Sequence, residues 1–139
     1  MATSAVSSHG TLLKIGDGGG SEVFTTIAEV KDISGPALSW ETEDVTNHDS
    51  SKWREHIVTI KEGGEVTFEI NYYSATTQDS LRTDMLAGTK RNFQVVFPTS
   101  PAETHAFAAY ITGIEYDAPV EGVLSQSITL TITGAVTVS

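Results

Sequence analysis

Four histidines, two tryptophans and eighteen acidic residues are the side chains of this 139-residue sequence with most scope for chemistry. His9, His48, His56 and His105 are scattered over loops and strand edges rather than gathered. The densest polar cluster is Asp44, Asn47, His48, Asp49, Ser50 and Ser51. It holds the residue types of a Ser-His-Asp triad, but a triad draws its members from distant segments, not from neighbours in one loop. Asp44, His48 and Asp49 could offer three metal donors, yet a zinc-type site needs a further ligand and orienting hydrogen bonds that this spacing does not supply. A structural loop is the better reading. The glycine-rich run at 16–21 (GDGGGS) lacks the lysine of a P-loop, is not GxGxxG, and leads into strand-like residues rather than a helix, so phosphate binding is not expected. A glycosidase pair could be drawn from eighteen acids in many ways, so their number is no evidence. No catalytic constellation, metal centre or cofactor site emerges.

Composition narrows the classes further. The length suits one domain, 1–139, with enough chain for a true core, and 39% hydrophobic with 19% charged residues is a globular balance. No run approaches the roughly 20 apolar residues of a spanning helix. The first ten residues are small and polar, without the basic start and apolar centre of a secretory signal. Cysteine is absent, which removes disulfides, thiol nucleophiles and thiolate metal sites. The net charge of −10 opposes binding to nucleic-acid phosphates. Such acidity keeps a protein soluble, or presents a surface that nucleic acid passes without sticking; composition does not choose between the two.

The elements that must position these residues are clearest between 63 and 98. Residues 65–73 (EVTFEINYY) alternate, with Val66, Phe68, Ile70 and Tyr72 on one side and Glu65, Thr67, Glu69 and Asn71 on the other. That period marks a strand with one buried and one wet face. The period then changes. Leu81 and Met85, with Leu86 beside them, form a narrow stripe on a short helix over about residues 77–87. Thr76 or Thr77 can accept its first amides, Asp79 suits the helix start, and Gly88 is a ready stop. Residues 92–97 (NFQVVF) return to alternation before Pro98.

Elsewhere, residues 1–10 read as a loose arm and 11–15 as a short strand. Residues 22–33 (EVFTTIAEVKDI) predict one long β-branched strand. Residues 37–51 form an acidic, partly extended excursion with Leu38, Trp40 and Val45 as its anchors; Trp40 reads as a core anchor, and Trp53 as either core or interface. Residues 52–61 resume as a strand through 56–60, with a first half that could be helical. Along 105–116, Phe107, Ala109 and Ile111 share one face and Ile114 and Tyr116 the other, with Gly113 between them as a bulge. Residues 126–138 alternate throughout, with a threonine-covered outer face that suits either an ordinary last strand or pairing across subunits. Six or seven strands and one helix, without βαβ alternation, imply a mainly β fold: a two-sheet antiparallel β-sandwich or barrel with one short flanking helix.

Read together, GTLLKIGDG, VFTTIAEVKDISGP, ETEDVTNHDSSKWRE, GGEVTFEINY, SLRTDMLAG, NFQVVFP, FAAYITGIEYDAP and SITLTITG resemble, in order and over nearly the whole chain, the major tail tube protein of long-tailed bacteriophages. The resemblance implies a β-sandwich with a flanking helix, six copies to a ring, and rings stacked into a hollow tube through which DNA leaves the virion. It implies a structural protein of the virion tail, not an enzyme, with no cofactor and no membrane. The chain would be assembled in the bacterial host cytoplasm beside tape-measure, tail-terminator and distal-tail proteins. The segment 37–55 becomes a long inter-subunit loop with Asp44, His48, Asp49, Trp53, Arg54 and Glu55 as contacts, and residues 1–10 a second contact between rings. Lumen-lining candidates are Glu65, Thr67, Glu69, Asn71, Thr129 and Thr131, on polar faces without bulky apolar groups. An acidic lumen repels phosphates, so DNA slides through it. The rival readings are a non-catalytic sandwich that binds carbohydrate or a receptor through Trp40, Trp53 and Tyr73, and a small hydrolase around His48 and Asp49.

Overall fold

Period-two burial runs through the computed structural model, which describes residues 6, 7, 9–18, 20–27 and 29–139. Most of the expected N-terminal arm (1–5 and 8) lies outside the described residues. Nine strands and one helix are present among them, in the order β1 (Leu12–Gly16), β2 (Phe24–Thr26), β3 (Val30–Ser34), β4 (Ser39–Asp44), β5 (His56–Glu62), β6 (Glu65–Asn71), α1 (Thr76–Ala87), β7 (Lys90–Phe97), β8 (Glu103–Asp117) and β9 (Ser125–Val138). The fold is mainly β and antiparallel with one short helix, as the patterning predicts. Seven strands form one sheet in the order β2-β1-β7-β8-β9-β6-β3, and β4 pairs with β5 in a separate ribbon.

The sheet order carries a geometric constraint. β2 and β3 are its two edges, yet residues 27–29 alone join them. Laid flat, the edges would be six strand spacings apart, roughly 29 Å. The link spans at most about 14 Å. The sheet therefore curls until its edges approach, and the enclosed face becomes the core. Leu13, Ile27, Val66, Ile70, Phe93, Val95, Ala109, Ile128 and Leu130 are all fully or almost fully buried there. Ile27 sits at the closure, and its N–H donates to the Leu13 carbonyl at 2.9 Å. This corrects the expected single strand over 22–33. The β-branched run does form strand, but it leaves one sheet edge and enters the other through Glu29, at φ 59°. Strand propensity carries no information about which edge a segment joins.

The helix also departs from its expected stripe. Leu81 is fully buried and Met85 partly, but Leu86 is 78% exposed, and the buried row is completed by Gln78 and Asp84. Ala75, not Thr76 or Thr77, occupies the N-cap position, and its side chain has no oxygen to offer the first amides. Gln78 fixes the entry to the helix instead: its Oε1 accepts from the N–H groups of Tyr73 and Ala75, which precede the first turn, and its Nε2 donates to the Asn71 carbonyl at 2.9 Å. At the other end Gly88 takes the left-handed conformation, and Thr89 N–H closes on Asp84 O, as a glycine stop should. Asp84 then clamps the helix to β7 through two bonds to Arg91, 3.0 and 3.1 Å long. That carboxylate raises the Arg91 guanidinium above its ordinary value.

In β8 the register slips between Ile111 and Gly113. The bulge is the expected one, but its consequence differs from the face assignment made for Ile114 and Tyr116. An extra residue reverses strand parity, so Ile114 pairs with buried Ile128 and packs against the core. Ile114 shares the side of Ile111, not the opposite one, and Tyr116 faces the helix, where Arg82 Nη1 lies 3.3 Å from its hydroxyl.

Leu81→Ala should cost about 2–5 kcal/mol in urea denaturation, because it leaves a cavity under the helix. Leu86→Ala should change stability by no more than about 0.5 kcal/mol. Equal losses from the two would contradict this docking of α1.

Candidate assembly surface

The arm. The segment expected to be a long loop is a β-hairpin that stands away from the barrel. Every residue of β4 and β5 is exposed. The apolar ones are Trp40, Ile57, Val58 and Ile60. Trp40 is 50% exposed and not a core anchor; Trp53 is 79% exposed. The core was already filled by alternating strands, which left nothing for Trp40 to anchor. Residues 52–55 are not helical. The ribbon is joined to the barrel where backbones meet closely. Ala37 N–H donates to Gly63 O at 3.1 Å and Ile132 N–H to Gly64 O at 3.1 Å. A Cβ at Gly63 would lie 2.6 Å from Ile132 Cγ2, and one at Gly64 2.6 Å from Ala37 O.

The arm's tip is held by its own side chains. Arg54 Nη1 donates to Asp44 Oδ2 at 2.9 Å, Thr46 N–H to Asp44 Oδ1 at 2.9 Å, and Glu55 N–H to Thr46 Oγ1 at 2.8 Å. Ser50 Oγ donates to Glu55 Oε2 at 2.5 Å, while Asn47 Oδ1 accepts from Asp49 N–H. Asp44, Arg54 and Glu55 are thus brought together, with Asp49 tied in by its backbone. His48 and Trp53 are exposed beside them. The hydroxyl and then the N–H of Thr46, with a smaller part from Arg54, hold the Asp44 carboxyl below its ordinary value. Among the described residues no three His, Asp or Glu side chains are grouped to hold a metal.

The polar face. The register of β6 on β9 sets Glu65 opposite Thr131, Thr67 opposite Thr129, Glu69 opposite Ser127 and Asn71 opposite Ser125. Val66, Phe68 and Ile70 occupy the buried side between them. All six residues singled out for this surface therefore share one outward face of two neighbouring strands. Sequence reasoning missed two participants. Lys31 on β3 pairs with Glu69 at 3.0 Å, and Thr112 on β8 shares a hydrogen bond of 2.9 Å with Thr131. Both depend on which strands become neighbours, for which the chain gives no local signal. Glu65 has no cationic partner among the described residues.

The aromatic platform of the rival reading is not assembled. Trp40 lies near the base of the arm with Lys61 Nζ 5.2 Å from its ring centroid, and Trp53 lies beyond the far end of β4. What the geometry offers is an unsupported apolar arm and a hydroxyl-rich, weakly acidic strand face.

A family model described as lambda phage tail tube protein matches residues 15–139. The chain belongs to that family. Its fold is also similar to the tail of an empty gene transfer agent particle refined with C6 helical symmetry, at 25% identity and TM-score 0.82, covering 97% of this chain and 99% of that one. The virion of a native gene transfer agent particle gives 22% identity and TM-score 0.79 over 97% and 99%. The SPP1 tail tube gives 16% and 0.65 over 89% and 73%. No curated protein matches the sequence. The chain is a tail tube protein, and the binding-module reading is not favoured.

The Asp44 shift gives a pH prediction. A depressed folded-state value stabilises the tip at and above the ordinary carboxylate range and is lost as pH falls through the depressed value. The protection of the Thr46 and Glu55 amides, measured against their intrinsic exchange rate at each pH, should therefore fall below the ordinary carboxylate range while the barrel amides keep theirs. Tip amides whose protection factors are the same in acid as at pH 7 would show that Asp44 does not hold the turn.

Proposed function

We propose that the chain assembles as hexameric rings that stack into the tail tube of a virion, a conduit for DNA and not an enzyme. The observation that carries this reading is the arm. A two-stranded ribbon is marginal by itself in water, and this one exposes Trp40, Ile57, Val58 and Ile60 with no second layer over them. Such a ribbon is stabilised when another copy covers it. Asp44, His48, Asp49, Trp53, Arg54 and Glu55 supply the tip contacts, and residues 1–10 a second contact between rings. The whole chain, 1–139, serves as one tail-tube domain.

The β6–β9 face lines the lumen. Its six named residues add carboxylates, hydroxyls and one amide without an exposed apolar group. Glu65 repels phosphates, and Lys31 tempers Glu69, so the surface is weakly repulsive rather than sticky. The matched particles are tails and virions; by that likeness this chain works in a virion tail beside tape-measure, terminator and distal-tail proteins, after assembly in the host cytoplasm. No membrane takes part.

Electron microscopy of the concentrated protein is expected to show rings or hollow tubes of uniform width. Removing residues 44–51 should spare the monomer fold, read by circular dichroism, and stop tube growth; tubes of normal length from that variant would remove the tip's role. Phage carrying Glu65→Lys with Glu69→Lys should form tails that pass DNA poorly. Normal infectivity from that double variant would move the lumen to another face.

A further inference from the structure

The two faces of the arm differ. Trp40 and its cross-strand partner Lys61 line a groove of about 1080 Å³ between the arm and the end of β9, where Ile132 and Val136 form the opposite wall. Glu41, Glu43 and Ile57 line no part of that groove and are exposed. Glu43 and Ile57 are direct partners across the ribbon; the register slips between Thr42 and Trp40, where two residues of β4 face three of β5, so β4 keeps its alternation and Glu41 stays on the side of Glu43. Neither carboxylate has a cationic partner among the described residues. The outward face of the arm is therefore an isoleucine flanked by unpaired carboxylates.

The complementary pattern lies on the barrel. Lys90 pairs in register with Tyr110, Asn92 with Ala108, Gln94 with Ala106, and Lys14 with Gln94. Their parity is opposite to that of buried Leu13, Phe93, Phe107 and Ala109, so Lys14, Lys90, Ala106, Ala108 and Tyr110 share one outward face of β1, β7 and β8. Lys31, Arg54, Arg82 and Arg91 are each paired with an acid, whereas Lys14 and Lys90 have no acidic partner among the described residues. The Glu22 carboxylate reaches this region, accepting from Asn92 Nδ2 at 2.7 Å.

We infer that the arm face carrying Glu41, Glu43 and Ile57 docks on the face carrying Lys14, Lys90 and Tyr110 of a second copy of this chain. The inference rests on the tube reading and adds the pair of surfaces that meet. Ile57 lies over Ala106, Ala108 and the Tyr110 ring, which present low relief, while the flanking carboxylates reach the two lysines. A closed ring needs a contact between two different surfaces of the same molecule. The arm leaves the barrel beside β3 and β6, and the lysine face lies on β1, β7 and β8, further round the sheet. The two surfaces thus meet the requirement for head-to-tail association. Charge matching also selects this pairing within a chain of net charge −10, because acidic faces meeting each other would repel.

The absence of cysteine allows a direct test. Glu43→Cys and Lys90→Cys variants, mixed one to one during assembly and mildly oxidised, are expected to give a disulfide-linked dimer that neither variant gives alone. Lys14→Glu with Lys90→Glu should slow tube formation by about tenfold or more, and adding Glu41→Lys with Glu43→Lys should restore it. Tubes at the wild-type rate from the lysine-reversed chain, or tubes without the mixed dimer, overturn the docking and leave the tube reading in place. A wild-type chain that stays monomeric at every concentration, together with no mixed dimer from the two cysteine variants, overturns both.

Discussion

Three residues between β2 and β3 decide the shape of the body. Because that link cannot span a flat seven-stranded sheet, the sheet is forced to curl, and the apolar residues of the core are placed inside one closed surface. Everything functional follows from what this closure leaves outside. The inward positions of every long strand are used by the core, so the outward positions are free to be polar. The chain between β3 and β6 has no interior left to enter. It becomes the exposed ribbon.

The ribbon and the barrel consequently obey different rules. In the barrel, strand faces alternate between buried aliphatics and exposed hydroxyls or charges, and the register is fixed because a slip by one residue would turn Val66, Phe68 and Ile70 into solvent. The arm has no buried side to enforce such a pattern, and Ile57 and Val58 point to opposite faces while both remain exposed. Its shape rests on backbone pairing, on the close glycine contacts at its base, and on the Asp44, Thr46, Arg54 and Glu55 network at its tip. A preformed tip lowers the ordering cost of docking, since fewer torsions are frozen at the moment of contact.

Much of this was legible in the sequence wherever burial imposes a period. The strands expected over 65–73, 92–97 and 126–138, which form within two residues of those bounds, the glycine stop at 88 and the bulge at Gly113 are local events with local signals. The errors fall where a residue's role depends on a distant partner. Leu86 looks like part of the stripe until the helix rotates Gln78 and Asp84 inward, where Asn71, Tyr73 and Arg91 can satisfy them. Trp40 looks like core until the core proves complete without it. The break at 27–29 is invisible because both halves of that run favour strand equally. For the candidate site, the alternation of β6 and β9 identified one polar face, whereas Lys31 could be placed there only by knowing that β3 is the neighbour of β6.

The same dependence on partners governs assembly. Copies that each carry a net charge of −10 repel at long range, so association must come from contacts short enough to escape screening, within about 8 Å at physiological salt. Burying apolar surface is one such contact, and the arm supplies it on both of its faces. The barrel has few cations to add, because four of the chain's eight basic residues, three of them on the barrel, are already held by acids in the same chain. Internal pairing turns those four into structural elements: Arg91 fixes the helix to β7, Arg82 pairs along the helix with Asp79, Arg54 fixes the tip, and Lys31 tempers the charge on the polar face. The cations left unpaired on the barrel strands are then the ones that can discriminate between surfaces of a neighbour. In a chain this acidic, specificity belongs to the few positive charges that folding does not use.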